Sequence, residues 1–216
     1  MPGVGNDLID LKDSENIGKS GDERFLGRVF TVAERESIAR ASSPDTLLWS
    51  LWAAKEAAYK AVSRADPAIC SIPRRYPVFL EPEGAARKSG WTGKVITPRG
   101  EVACEVAVSA EWVHALAAGS EDALHRIFRR VRRLSSGNGA GDPSAFVQGA
   151  LLREIASHLD CFVGDLSVVK NQDGLGAPRV LFRGDLLAAE ISLSHDGRYA
   201  AFAFDPATLI IIPDRR

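Results

Sequence analysis

The sequence predicts an α+β protein made of two similar halves, and three observations carry that expectation. The stretch from Ser135 to Asp142, SSGNGAGD, holds three glycines and no apolar residue larger than alanine, which marks a linker. Each side of it reads as a long helix plus short strand-like segments. Near the end of the chain, two apolar runs flank Asp196-Gly197, the strongest two-residue hairpin signal, so the strands pair antiparallel. The expected organisation is a first lobe over residues 1–119, a basic helix and linker over 120–142, and a second lobe over 143–216. In each lobe a small antiparallel sheet packs on a long helix. No residue-level repeat relates the two.

In order along the chain, Val4 to Ile9 reads as a short strand. Thr31, with Glu34 three residues later, forms a capping box that opens a helix. A second helix runs from Asp45 to about Val62, apolar on nearly every side and therefore expected to be buried. Strand signals follow at Tyr76 to Leu80, Trp91 to Thr97, Glu101 to Val108 and Trp112 to Ala117; the third alternates, with Val102, Cys104, Val106 and Val108 on one face. Leu124, Ile127, Phe128, Val131 and Leu134 then recur at helical spacing among five arginines, which predicts an amphipathic helix with a basic outer face. After the linker, Asp142-Pro143 is a helix start, and that helix carries Phe146, Ala150, Leu151 and Ile155. Strands are expected at Leu166 to Lys170, Arg179 to Phe182, Ile191 to His195 and Tyr199 to Phe204.

Composition narrows the function classes. With 216 residues, 27 Lys+Arg against 28 Asp+Glu and 45% hydrophobic residues, the chain is an ordinary globular one, not a disordered, collagen-like or coiled-coil protein. A net charge of −1 argues against a general nucleic-acid binder. Cys70, Cys104 and Cys161 are scattered and form no C-x-x-C pair, which fits a reducing compartment without disulfides or a zinc knuckle. No basic n-region leads into an apolar stretch, and no run approaches a membrane span, so a cytoplasmic protein is expected.

Four segments carry potential chemistry. In the buried helix, Glu56 and Lys60 share a face with Trp52. An i, i+4 pair of this kind ordinarily just supports a helix, but a carboxylate in a buried helix is costly unless it is paired or binds a metal. Asp7, in an otherwise apolar strand, is a second acid, and Gly5 permits close approach of another backbone or a ligand. Together Asp7 and Glu56 give a hard, oxygen-lined Mg²⁺ site with positions left for water and substrate phosphates. Asp10 projects to the opposite strand face and reads as a strand-end or helix-entry acid. Ser194-His195-Asp196 invites a hydrolase reading, but adjacent strand residues project to opposite faces, which excludes a catalytic Ser-His pair. His195 then stands at a hairpin lip, either as a plain surface histidine or within reach of a bound anion. Asp173 to Arg179 is a glycine-rich turn lacking both dinucleotide and Walker spacings.

Together these segments resemble the 4′-phosphopantetheinyl transferase superfamily. Gly5-Asn6-Asp7 is similar to its Gly-x-Asp motif, and Trp52-Ala53-Ala54-Lys55-Glu56-Ala57-Ala58-Tyr59-Lys60 matches W/F-x-x-K-E-A-x-x-K throughout. Arg24 to Thr31, RFLGRVFT, resembles a run of the small, holo-acyl-carrier-protein-synthase type. Gly176-Ala177-Pro178 resembles the Gly-Lys-Pro turn, and Leu193-Ser194-His195-Asp196 with Tyr199-Ala200 resembles the Ser-His segment. Ala177 replaces the turn lysine, with Arg179 as a possible substitute, and Ile9 stands where larger members often carry a third acid.

The resemblance implies the family fold, two lobes related by a pseudo-two-fold. The lobe order is exchanged, because the Asp and Lys-Glu motifs precede the Ser-His segment. A monomer with an internal pseudo-dimer follows. The resemblance also implies the reaction: Mg²⁺-dependent transfer of 4′-phosphopantetheine from coenzyme A to a serine of an apo acyl or peptidyl carrier protein, releasing 3′,5′-ADP. Asp7 and Glu56 would hold the metal, Glu56, Lys60 and His195 would be catalytic, and Lys60, Gly176, Pro178, Arg179, Ser194 and His195 would contact coenzyme A. A non-catalytic coenzyme A or carrier-binding module is the alternative, motivated by Ala177 and Ile9. A metal-dependent nuclease would need more clustered acids.

Overall fold

The computed structural model describes residues 2–66, 68–82, 90–134, 142–169 and 178–212. The first half runs β1 (Gly5–Asp10), α1 (Glu23–Val29), α2 (Val32–Arg40), α3 (Pro44–Ser63), β2 (Val78–Pro82), β3 (Gly90–Thr97), β4 (Gly100–Val108) and β5 (Trp112–Ala118). After α4 (Glu121–Arg126) come β6 (Phe128–Arg133), α5 (Pro143–Leu159), β7 (Leu166–Val169), β8 (Arg179–Phe182), β9 (Asp185–Leu187), β10 (Ile191–Asp196), β11 (Tyr199–Phe204) and β12 (Ile211–Ile212). The fold is α+β with antiparallel sheets, as expected. Among the described residues, no helix is long and apolar enough to cross a membrane.

The first sheet has the order β1-β5-β4-β3-β2 and carries α3 across it. The alternation read in β4 faces this helix: Val102, Cys104 and Val106 share one core with Ala53, Ala57 and Ala61 of α3. Small residues let the helix lie close. At Gly5 no side chain is possible, because a Cβ there would come within 1.9 Å of the Ala57 carbonyl oxygen. The capping box at Thr31 forms as predicted, with Thr31 Oγ1 accepting from Glu34 N and Glu34 Oε2 accepting from Thr31 N. Helix α1, which periodicity did not reveal, is capped by Asp22, whose carboxylate accepts from Phe25 N.

A second sheet, β10-β11-β6, packs Phe202, Phe204 and Ile191 against Val147, Leu151 and Ile155 of α5. Asp142 caps α5 through Ser144 N, and Pro143 takes its first turn, as the sequence predicted. A small sheet, β12-β9-β8-β7, completes the second half.

Two expectations need correction. The basic amphipathic helix from Leu124 to Leu134 does not exist: α4 ends at Arg126, and Phe128 to Arg133 form a strand paired along β11. Strand pairing overrides the helical stripe because it gives every second residue a partner. Val131 packs beside Leu8, Tyr199 and Ala201, and Arg129 reaches Glu105 at 2.5 Å, while Arg130 lies over the Phe128 ring. At the hairpin, Asp196 pairs with Tyr199, so the turn residues are Gly197 and Arg198, one position later than expected.

That shift has a cause. Asp10, fully buried at the end of β1, receives Arg198 Nε at 2.8 Å on Oδ2 and Arg198 Nη2 at 2.8 Å on Oδ1. A Cβ on Gly197, whose φ is +49°, would lie 2.6 Å from Asp10 Oδ2, so the turn closes around the carboxylate. The Arg198 guanidinium holds the Asp10 carboxyl down at about 2. Because this value lies below the unfolded one, the contribution is fully present above about pH 4 and is lost as pH falls toward 2. Urea midpoints measured between pH 5 and pH 2.5 are expected to fall less steeply for Asp10→Asn than for the parent; parallel curves would remove Asp10 as the acid-sensitive contact.

Candidate active site

The α3 surface and the α5 surface open onto one cavity of about 310 Å³, lined by Asp7, Lys60, Ser144, Val147, Gln148, Pro178, Leu193, Ser194 and His195. Helical spacing sets one wall. Trp52, Glu56 and Lys60 follow one another at four-residue steps along α3, and the last of them reaches across to β1. Lys60 Nζ donates to Asp7 Oδ1 at 2.7 Å and to the Asn6 carbonyl at 3.0 Å. The other wall comes from β10, where pleat alternation sends His195 toward α5 and Ser192 and Ser194 toward β1.

The two acids predicted to act together are electrostatically linked. Burial raises the Asp7 carboxyl above its ordinary value, against the opposing pull of Lys60. Burial also raises Glu56, and the Asp7 charge raises it further, while Lys60 and a hydrogen bond from Ser71 oppose the shift. Glu56 is partly buried and is not among the lining residues of the cavity. Two carboxylates of this kind are a donor set that fits Mg²⁺, which commonly takes one or two carboxylates and leaves its other positions to water and phosphate. Among the described residues, no group of three or more His, Cys, Asp and Glu side chains forms a larger metal cluster.

His195 is an exposed residue on the cavity wall, with Nε2 at 3.4 Å from Ser144 Oγ. Ser194 lines the same cavity, but its hydroxyl donates to Asn6 Oδ1 at 2.6 Å. Pro178 contributes to the wall; Arg179, exposed at the start of β8, is not among the lining residues. Gly176 and Ala177 lie outside the described residues, as does most of the Ser135 to Asp142 linker.

Several residues here were not legible as site elements. Ser144, Val147 and Gln148 sit on the first turns of α5, and helical spacing alone places them on one face; no local pattern signals that this face meets Asp7. Lys55, adjacent to Glu56 in the motif, points away from the cavity. It is buried, and its Nζ donates to Glu34 Oε1 at 2.8 Å, Glu34 Oε2 at 2.9 Å and the Tyr76 carbonyl at 2.8 Å. Burial lowers its ammonium below the ordinary value, with Glu34 opposing. His114, also buried, is kept neutral at about 3 by burial first and then by the charges of Arg129 and Lys60.

Comparison with known proteins covers the half of the chain that carries Asp7, Glu56 and Lys60. A family model described as the 4′-phosphopantetheinyl transferase superfamily matches residues 3–115, just over half of the chain. A holo-acyl-carrier-protein synthase of Nitrobacter hamburgensis is 30% identical over 123 residues, covering 51% of this chain and 86% of the relative. One from Rhodopseudomonas palustris is 28% identical over 144 residues, 57% of this chain and 96% of its own length. One from Bradyrhizobium is 28% identical over 123 residues, with 51% and 86% covered. The matched region contains β1 with Asp7, α3 with Glu56 and Lys60, and the strands that hold them together, so this chain belongs to the 4′-phosphopantetheinyl transferase superfamily.

Proposed function

We propose that this chain transfers the 4′-phosphopantetheine group of coenzyme A to a serine of an apo carrier protein and releases 3′,5′-ADP. The observation that carries the reading is the cavity joining Asp7 and Lys60 from one half to Ser194 and His195 from the other. Coenzyme A would lie in this cleft between two lobes related by a pseudo-two-fold, within a single cytoplasmic chain. The lobes would be those read from the sequence, residues 1–119 and 143–216, in exchanged order.

Asp7 and Glu56 would hold Mg²⁺, which when bound supplies positive charge against the pyrophosphate oxygens. The chain's own groups do the rest. Glu56, its carboxyl raised by burial and by Asp7, takes the proton of the carrier serine directly or through a bound water. The serine oxygen bonds to the β-phosphorus as the bond to the bridging oxygen breaks, and 3′,5′-ADP departs with the electron pair. Lys60 and His195 offer hydrogen bonds to that leaving phosphate from opposite walls. Lys60 is pre-set for this by Asp7 and the Asn6 carbonyl, which fix its ammonium at one point of the wall.

The deciding experiment incubates the chain with coenzyme A, Mg²⁺ and apo carrier protein and weighs the carrier by mass spectrometry. A gain of one phosphopantetheine is expected; an unchanged carrier overturns the reading and leaves a binding module. Asp7→Asn is expected to raise the Mg²⁺ concentration for half-maximal transfer about tenfold, as loss of a charged ligand does. An unaltered Mg²⁺ titration would remove Asp7 from the metal site.

A further inference from the structure

Asn6 is fully buried, and four of its contacts reach three separate elements. Its main-chain N–H donates to Ser192 Oγ at 2.9 Å, and its carbonyl accepts from Lys60 Nζ at 3.0 Å. Its Oδ1 accepts from Ser194 Oγ at 2.6 Å and lies 3.3 Å from His114 Nε2, a contact to an acceptor oxygen that requires the Nε2–H tautomer. Ser192 and Ser194 belong to β10, Lys60 to α3 and His114 to β5. Two of the four partners, Lys60 and Ser194, are walls of the cavity, and Ser194 adjoins His195. β1 therefore meets β10 through serine side chains, with the Asn6 main chain holding Lys60 and its side-chain amide holding Ser194.

Resting on the proposed transfer reaction, we infer that Asn6, braced by His114, is a positioning residue that sets Lys60 against Ser194 and His195. It touches neither the cavity nor the reacting atoms. Its effect is to hold groups from two halves of the chain on facing walls of one cavity. Lys60 and His195 would meet the same phosphate in bound coenzyme A and in the departing group, so a seam loosened by lost hydrogen bonds should weaken substrate binding and register in KM.

The test compares Asn6→Ala, His114→Leu and His114→Gln in steady-state transfer at fixed Mg²⁺ and carrier. Asn6→Ala and His114→Leu are expected to raise KM for coenzyme A about tenfold. His114→Gln, whose side-chain amide can donate to Asn6 Oδ1, is expected to stay within about threefold of the parent. A merely structural role would reduce the active fraction and so lower kcat at unchanged KM; that pattern, or an unaffected His114→Leu, overturns the inference. If Asn6→Ala is insoluble, the two His114 variants decide it. A parent protein that transfers nothing overturns both this inference and the transfer reading, whereas an active parent with indifferent variants overturns this inference alone.

Discussion

Glu56→Gln is expected to lower transfer by about 10²- to 10⁴-fold, the range associated with removing a general base, while the protein stays folded. The substitution keeps the size of the side chain and its hydrogen bond with Ser71 while removing the charge. It also removes a carboxylate from beside Asp7, whose charge now raises Glu56, so folding stability should hold or improve slightly. The informative pattern is therefore lost turnover with an unchanged or higher urea midpoint. Retained turnover would take the proton-accepting role from Glu56, and a collapsed midpoint would assign it to the core instead.

Lys55→Met is expected to destabilise the protein by about 3 kcal/mol, because it leaves the Glu34 carboxylate buried without its cation. Glu34 would still accept from Thr31 N and from Val78 N at 2.9 Å, which places the loss at the lower end of the range for broken buried pairs. For a chain of this size that corresponds to a drop in Tm of about 6–12 °C. Adding Glu34→Gln to Lys55→Met should recover part of the loss, since no unpaired charge then remains. A single variant melting within about 2 °C of the parent would show that the ion pair is not what anchors α2 and β2 to α3.

The contrast between these neighbouring residues shows what the sequence does and does not disclose. Both stand in the same Lys-Glu-Ala motif, and helical geometry placed Glu56 with Trp52 and Lys60 correctly. Lys55 projects a third of a turn away, and its partner lies 21 residues upstream, where Glu34 was visible only as half of a capping box. Local patterns disclosed the local roles: the cap at Thr31, the alternation in β4, the closeness demanded at Gly5. They were silent on contacts between halves. Asn6 was merely the middle of a three-residue motif, and His114 a polar residue in a strand, because the serines that give Asn6 its meaning are 186 and 188 residues away. The misread helix has the same origin: Phe128 to Arg133 is equally compatible with two periods, and only β11 decides between them.

That decision comes late in the life of the molecule. Every strand of the five-stranded sheet is complete once Ala118 has been made, so that sheet has all its strand partners while synthesis continues. Phe128 to Arg133 has no such partner at hand; its mate, beginning at Tyr199, is still untranslated when it emerges. During that interval the strand is an orphan edge, and its four arginines repel the same edge on a second nascent copy.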